Sequence, residues 1–165
     1  SSLGSVGNPS VTKGLVAASL CLTHSNCKDA SQVSEKPPNS ASRSLDGSKT
    51  VSVVIPCYNE QEVLPLLIDR LTEVIANWPS QVEVVIVDDG STDATWRLLT
   101  EYQNKDARCK IIRLARNFGH QLALWEGLQH CRGEVVAVLD ADLQDPPESL
   151  QTFFEKWEQG FDVIY

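Results

Sequence analysis

The sequence predicts an α/β fold in which a parallel sheet carries helices on both faces. Short β-rich apolar runs occupy residues 51–55, 82–87, 110–114 and 134–139, and each is followed by a segment with helical spacing of its apolar residues. Strict strand–helix alternation of this kind implies parallel strands. Right-handed crossovers then stack the helices on the two faces and bring all strand C-termini to one edge. Each run also stops in a polar cluster, so that edge gathers the chemistry.

The elements follow in order. Val51-Ser52-Val53-Val54-Ile55 is the first predicted strand, and Pro56 is expected to stop it. Val63, Leu64, Leu67, Ile68, Leu71, Val74 and Ile75 recur at helical spacing, with Pro65 in the first turn, so a helix is expected from near Glu62 to before Pro79. The second strand, 82–87, runs into Asp88-Asp89-Gly90-Ser91, and a helix over about 92–104 follows with Ser91 or Thr92 as its N-cap. The third strand, 110–114, leads to Arg116-Asn117-Phe118-Gly119-His120 and a helix over 118–131, with Leu122, Trp125 and Leu128 on one side. Gly133 breaks it before the fourth strand. Pro146-Pro147-Glu148 opens a fourth helix whose apolar stripe is Leu150, Phe153, Phe154 and Trp157. The Trp and Phe residues are assigned to the core. Asp162-Val163-Ile164-Tyr165 reads as a fifth strand just begun.

Residues 1–50 differ in kind. They hold twelve Ser and little apolar periodicity, and are expected to form a disordered arm ahead of a folded part, 51–165. The one apolar run there, 15–22, is too short for a membrane span of ~20 residues and has neither a basic start nor a small-residue cleavage site. The chain has no Met and stops within a strand signal, both expected of a piece of a longer protein. The five Cys form no Cys-x-x-Cys pair and the three His lie at no zinc spacing, so the cysteines are expected to be reduced packing residues.

Charge narrows the function. The arm is +2, whereas residues 51–165 carry nine Lys/Arg against nineteen Asp/Glu. Nucleic acid is an unsuitable partner for that balance, because its binding depends on basic residues neutralising phosphates. A phosphorylated small molecule remains open, since a bound divalent cation inverts the local electrostatics.

The strand ends supply candidates. Asp140-Ala141-Asp142 follows the fourth strand, and in extended backbone its two carboxylates point the same way. Mg(II) or Mn(II) takes one or two carboxylates together with substrate phosphates, and Gln144 offers a further carbonyl oxygen. Tyr58 presents an aromatic face and a hydroxyl. Glu60 and Asp89 can accept hydrogen bonds from ribose or base. Gly90 and Gly119 permit close approach of backbone. A dinucleotide fold would show Gly-x-Gly-x-x-Gly after the first strand, where this chain has Pro56-Cys57-Tyr58-Asn59-Glu60; a P-loop is absent too, and an aspartyl phosphatase would carry its Asp pair after the first strand.

Residues 51–165 resemble the inverting family-2 glycosyltransferases, which have a Rossmann-like GT-A nucleotide-binding sheet. The resemblance rests on Val53-Val54-Ile55-Pro56-Cys57-Tyr58-Asn59-Glu60, Val87-Asp88-Asp89-Gly90-Ser91-Thr92-Asp93 and Asp140-Ala141-Asp142. Arg116 to His120 and Asp140 to Glu148 are similar to the polyprenyl-phosphate branch, which includes dolichyl-phosphate mannosyltransferase and undecaprenyl-phosphate glycosyltransferases. The resemblance implies transfer of one sugar from a UDP- or GDP-sugar to a polyprenyl phosphate, with inversion, at the cytosolic face of a plasma or endoplasmic-reticulum membrane reached through segments outside this chain. It places Pro56, Tyr58, Glu60 and Asp89 at the nucleoside, Asp140 and Ala141 near the ribose and diphosphate, and Asp142 and Gln144 at an Mg(II) or Mn(II) ion. The resemblance also implies a sheet truncated at its fifth strand, with the catalytic residues beyond Tyr165. A different acceptor such as a polysaccharide, or an incomplete chain that only binds nucleotide, are the alternatives.

Overall fold

Pro56, expected to end the first strand, instead lies inside it. The computed structural model describes residues 14–17, 49–78, 81–161 and 163–164, and in it the central strand β2 runs Thr50–Cys57. Its neighbours are β3 (Gln81–Asp88) and β5 (Val135–Val138), with β4 (Cys109–Arg113) outside β3. Two further strands, β1 (Gly14–Ala17) and β6 (Val163–Ile164), lie beyond β5. The sheet order is β4-β3-β2-β5-β1-β6, and every pairing is parallel. Proline is tolerated in β2 because it sits one residue from the strand end, opposite Val87.

Among the described residues four helices connect the strands: α1 (Leu64–Ala76), α2 (Thr95–Gln103), α3 (His120–Gln129) and α4 (Ser149–Glu158). Period-two alternation in β2 divides them between two faces. Val51, Val53 and Ile55 enter a core with Leu64, Leu67 and Leu71 of α1, Leu99 of α2, and Leu150, Phe154 and Trp157 of α4. Val54 enters a smaller core with Val85, Val87, Val136, Ala123 and Cys131, beneath α3. Both faces of the central strands are therefore buried, which is why they read as near-continuous apolar runs. The expected stripe on the last helix is present, with Leu150, Phe154 and Trp157 buried and Phe153 partly so. Trp78 meets Phe154 edge-on, with ring centroids 4.5 Å apart.

Three expectations are corrected. The helix after β3 begins at Thr95, and neither Ser91 nor Thr92 caps it; Asp93 Oδ1 accepts the Thr95 N–H instead, 2.9 Å away. Of the α3 residues placed on one side, Trp125, expected in the core, and Leu122 are exposed, and Leu128 alone packs partly against the smaller core. Ala123 and Gly127, four residues apart, face the sheet in their place. Finally, residues 14–17, placed in an arm without regular structure, form β1 and separate β6 from β5. The strand pairs the open side of β5 in register Gly14↔Val135 to Ala17↔Val138. The rest of the arm, with Cys21 and Cys27, lies outside the described residues.

Close approach of α3 to the sheet depends on Gly127. A Cβ there would stand 2.5 Å from Val54 Cγ1 and 3.2 Å from Val87 Cγ2, both on stiff β-branched side chains. Gly127→Ala is expected to destabilise the fold by about 1–3 kcal/mol through overpacking. Urea denaturation measures it, and an unchanged midpoint would show that α3 does not rest on these two valines.

Candidate functional site

The strand order reverses between β2 and β5, since the chain proceeds outward from β2 through β3 to β4 and then returns to the other side of β2. Ligands of open α/β sheets bind in the crevice outside the strand C-termini at such a reversal. A cavity of about 270 Å³ opens at this place. Its walls are Pro56, Cys57, Tyr58 and Glu60 from the end of β2, Asp89 after β3, and Asp140, Ala141 and Asp142 after β5. Asn117, Gly119, His120 and Ala123, from the β4–α3 connection and the start of α3, complete it. All seven residues expected at a nucleotide sugar thus border one cleft. Gln144 does not line it and is exposed two residues beyond Asp142. The sequence reading expected Cys57 only as a packing residue and gave no role to Asn117, His120 or Ala123. Asn117 and His120 did stand in a recognisable strand-end cluster, whereas Ala123 carries no chemical signal and enters through its place on α3.

Asp88 and Asp89, both buried, organise the walls. Asp88 Oδ1 accepts the Ser91 N–H at 3.0 Å, and its Oδ2 lies 3.2 Å from Nε of Arg113. Asp89 Oδ1 and Oδ2 accept the backbone N–H groups of Phe118 and Gly119, each at 2.8 Å. Asp89 therefore clamps the loop after β4 against the end of β3. Charge-assisted bonds of this type are the strong ones. Gly90 has φ +68°, and any Cβ on it would collide with the backbone of Arg116 and Asn117. The 58–61 loop is tied to the same scaffold. Asn59, itself at φ 56°, donates its N–H to Ser91 Oγ at 2.9 Å and accepts the Thr92 N–H at 2.9 Å. The Glu60 N–H bonds Thr95 Oγ1 at 2.8 Å, and Gln61 Oε1 accepts the Ala94 N–H at 3.0 Å.

Asp140 and Asp142 do not sit in extended backbone as expected. The strand ends at Val138 and residues 141–145 turn; Asp140 stays partly buried, although both residues border the same cleft. Asp140 Oδ1 is buried with no hydrogen-bond partner, 3.7 Å from His120 Nε2. Asp142 is exposed, and its Oδ1 accepts the Gln144 N–H at 3.0 Å. Leu143, immediately after Asp142, has φ 60°, an unfavourable conformation for a bulky residue. Its side chain packs on the larger core and holds the turn in place. No group of three or more His, Cys, Asp or Glu able to enclose a metal occurs among the described residues. The donor set here fits a hard cation shared with substrate: one exposed carboxylate, and one orphaned buried oxygen on the same cleft, leave most coordination positions to phosphate and water.

The remaining walls divide by polarity. Tyr58 is exposed and free to lie against a flat ligand. The Cys57 thiol is pushed far up by burial and by the carboxylates of Asp88, Glu60, Asp93 and Asp89, which makes it an inert packing group and no nucleophile. A larger cavity of about 780 Å³ lies between α1 and α2, lined by Asp69, Tyr102 and Arg108 among others, and contains no residue from the end of β2, β3 or β5. Burial raises the Glu60 carboxyl above its ordinary value, and Asp142 and Asp93 act in the same direction. A carboxylate raised in the folded state binds its proton more readily there than in the unfolded chain, so it weakens the fold at neutral pH and the penalty fades as pH falls through the raised pKa. Glu60→Gln is expected to stabilise the chain at pH 7 by less than about 1 kcal/mol, since solvent screens a partly exposed group. Urea midpoints across pH 4–7 check it. Destabilisation independent of pH would contradict the electrostatic account.

Comparison with known proteins agrees with this geometry. The family model described as "Glycosyl transferase family 2" matches residues 52–165. Undecaprenyl-phosphate 4-deoxy-4-formamido-L-arabinose transferase of Pectobacterium carotovorum is 44% identical over 121 residues, covering 73% of this chain and 37% of that protein. The chain spans roughly a third of the length of the curated relatives it matches, 35–37%. Among solved structures, S. aureus TarS 1-349 in complex with UDP-GlcNAc aligns with TM-score 0.56 and 29% identity over 67% of this chain and 31% of that one. Mannosyltransferase PcManGT from Pyrobaculum calidifontis, in complex with GDP-Man and Mn2+, aligns with TM-score 0.53 and 29% identity over 66% and 31%. Together with the parallel sheet and the cleft at its reversal point, these matches establish that the chain belongs to glycosyl transferase family 2.

Proposed function

We propose that this chain carries the donor-binding part of a transferase that moves one sugar from a UDP- or GDP-sugar to a polyprenyl phosphate, inverting the anomeric carbon. The observation that carries the reading is the convergence of the ends of β2, β3 and β5 on one cleft, with the Asp140–Asp142 turn as one wall. The relative named above is an undecaprenyl-phosphate sugar transferase, and the two similar structures hold a nucleotide sugar, one of them with Mn2+.

In this reading Tyr58 stacks on the base, beside Pro56, while Glu60 accepts hydrogen bonds from the nucleoside. Asp89 borders the nucleoside too, yet both its oxygens already hold backbone N–H groups, so it acts chiefly by fixing the 117–120 wall. Asp140, with its orphaned oxygen, and Ala141 face the ribose and diphosphate. Asp142 would hold Mg(II) or Mn(II), with its Oδ2 free of any bond to Gln144, whereas Gln144, expected as a second ligand, does not line the cleft. When bound, such a cation supplies Lewis-acid stabilisation of the departing nucleoside diphosphate. An acceptor phosphate oxygen attacks C1 as the bond from C1 to the diphosphate oxygen breaks, and the electron pair leaves with the diphosphate. The acceptor is already ionised, so positioning matters more than proton removal, and no residue of this chain is assigned as a base. The proposed place of work is the cytosolic face of a membrane; no helix among the described residues is long and apolar enough to cross one.

Calorimetry tests the reading. UDP or GDP is expected to bind with Mn(II) present and at least about tenfold more weakly in EDTA. Asp142→Asn should remove the metal dependence and leave the unfolding midpoint unchanged, because Asp142 is exposed. Equal affinity with EDTA would remove the metal role from Asp142, and no binding of either nucleotide would overturn the proposal.

A further inference from the structure

Three large apolar side chains at the start of α3 and in the loop before it stand in solvent beside the cleft: Phe118, Leu122 and Trp125, at 42%, 54% and 61% exposure. Leu122 and Trp125, three residues apart, share the outer side of α3, opposite Ala123 and Gly127, which face the sheet, and Phe118 stands in the loop that leads into the helix. Single exposed apolar residues are ordinary, whereas a contiguous large-residue stripe marks a contact surface. The stripe starts at the cleft itself, because Asn117, Gly119 and His120, which flank Phe118, are cleft walls.

The charge of the segment that contains it is the reverse of the rest of residues 51–165. Residues 109–132 carry four Lys/Arg and one Asp/Glu, although residues 51–165 as a whole carry nine and nineteen. Arg116 lies over the Phe118 ring, 4.2 Å from its centroid, and Arg132 is exposed just beyond α3. A tryptophan and long apolar residues bordered by arginine, in a part of the chain, 51–165, that is otherwise acidic, match the headgroup region of an anionic bilayer.

We propose that the outer side of α3 rests on a membrane surface containing anionic lipid, with Leu122 and Trp125 entering the interface and Arg116 and Arg132 meeting the headgroups. This rests on the reading of the cleft as one that serves a lipid phosphate. It goes further by giving this chain its own membrane contact, at the rim where such an acceptor would arrive.

The test is co-sedimentation of the whole chain with vesicles of phosphatidylcholine, with or without phosphatidylglycerol, alongside UDP calorimetry with Mn(II). Binding is expected to the phosphatidylglycerol vesicles, to fall with added salt, and to quench tryptophan fluorescence when the acyl chains are brominated. Trp125→Phe should abolish the quenching. Leu122→Gln with Trp125→Gln should weaken vesicle binding about tenfold or more while UDP affinity and the unfolding midpoint stay as they were. Nucleotide binding without vesicle binding overturns the inference and leaves the cleft reading standing. Vesicle binding without nucleotide binding supports the surface and removes the reading of the cleft. Equal binding to uncharged vesicles, or dimerisation through α3 in place of vesicle binding, also overturns it.

Discussion

The parallel pairing of β2 with β3 on one side and β5 on the other is the constraint from which the rest follows. Eight residues of β2 pair with β3 from Thr50↔Gln81 to Cys57↔Asp88, and four pair with β5 from Val51↔Val135 to Val54↔Val138. That register sets Tyr58 and Glu60, Asp89, and the Asp140–Asp142 turn at one edge. Hydrogen bonds from the 58–61 loop to Ser91, Thr95 and Asp93 then fix the first wall to the second. The Asp89 carboxylate fixes the third wall to the second by holding Phe118 and Gly119. A one-residue slip of β2 would turn Val51, Val53 and Ile55 to the wrong face, so the buried pattern enforces the register that the cleft requires.

A polar device at the opposite edge does similar work. Ser52, buried in β2, donates to Glu83 Oε1 and accepts the Gly133 N–H at 2.8 Å, while Glu83 also receives the Arg132 and Gly133 N–H groups. These bonds seat the turn before β5 against β2 and β3, and satisfy the polar groups that a dry sheet would otherwise leave unpaired. A Cβ on Gly133 would meet Ser52 and the Thr50 carbonyl, which leaves no room for another residue there. The site at one end of the sheet thus depends on tight packing at the other.

Much of this was legible because the chemistry is local. Apolar runs, their spacing and the polar strand ends identify β2 to β5 and α1 to α4, and a parallel sheet gathers the ends whatever the loop details. What escaped is tertiary. Periodicity reports an amphipathic helix but not which side meets the sheet; in α3 two small residues, Ala123 and Gly127, set a close approach that larger Leu122 and Trp125 would forbid. The alternation argument for Asp140 and Asp142 assumed extended backbone, whereas the strand ends at Val138 and the chain already turns at Ala141 and Asp142, ahead of Leu143 at φ 60°. Asp89 looked like a ligand acceptor, since the two N–H groups it holds come from a loop some thirty residues away. The strand Gly14–Ala17 lacked any periodic signal of its own and is defined by pairing with β5.

The molecule is therefore best understood as a rigid sheet edge bearing a cleft, with one exposed apolar helix side beside it, flanked in sequence by Arg116 and Arg132. The central claim is that the cleft at the β2–β5 reversal, and no other surface, receives a nucleoside diphosphate. Backbone amide shifts of the ¹⁵N-labelled chain, titrated with UDP and Mg(II), test it most directly. The account predicts changes confined to residues 57–61, 88–91, 116–121 and 139–144. Changes centred on the α1–α2 groove around Asp69, Tyr102 and Arg108, with the strand-end amides unmoved, would contradict it.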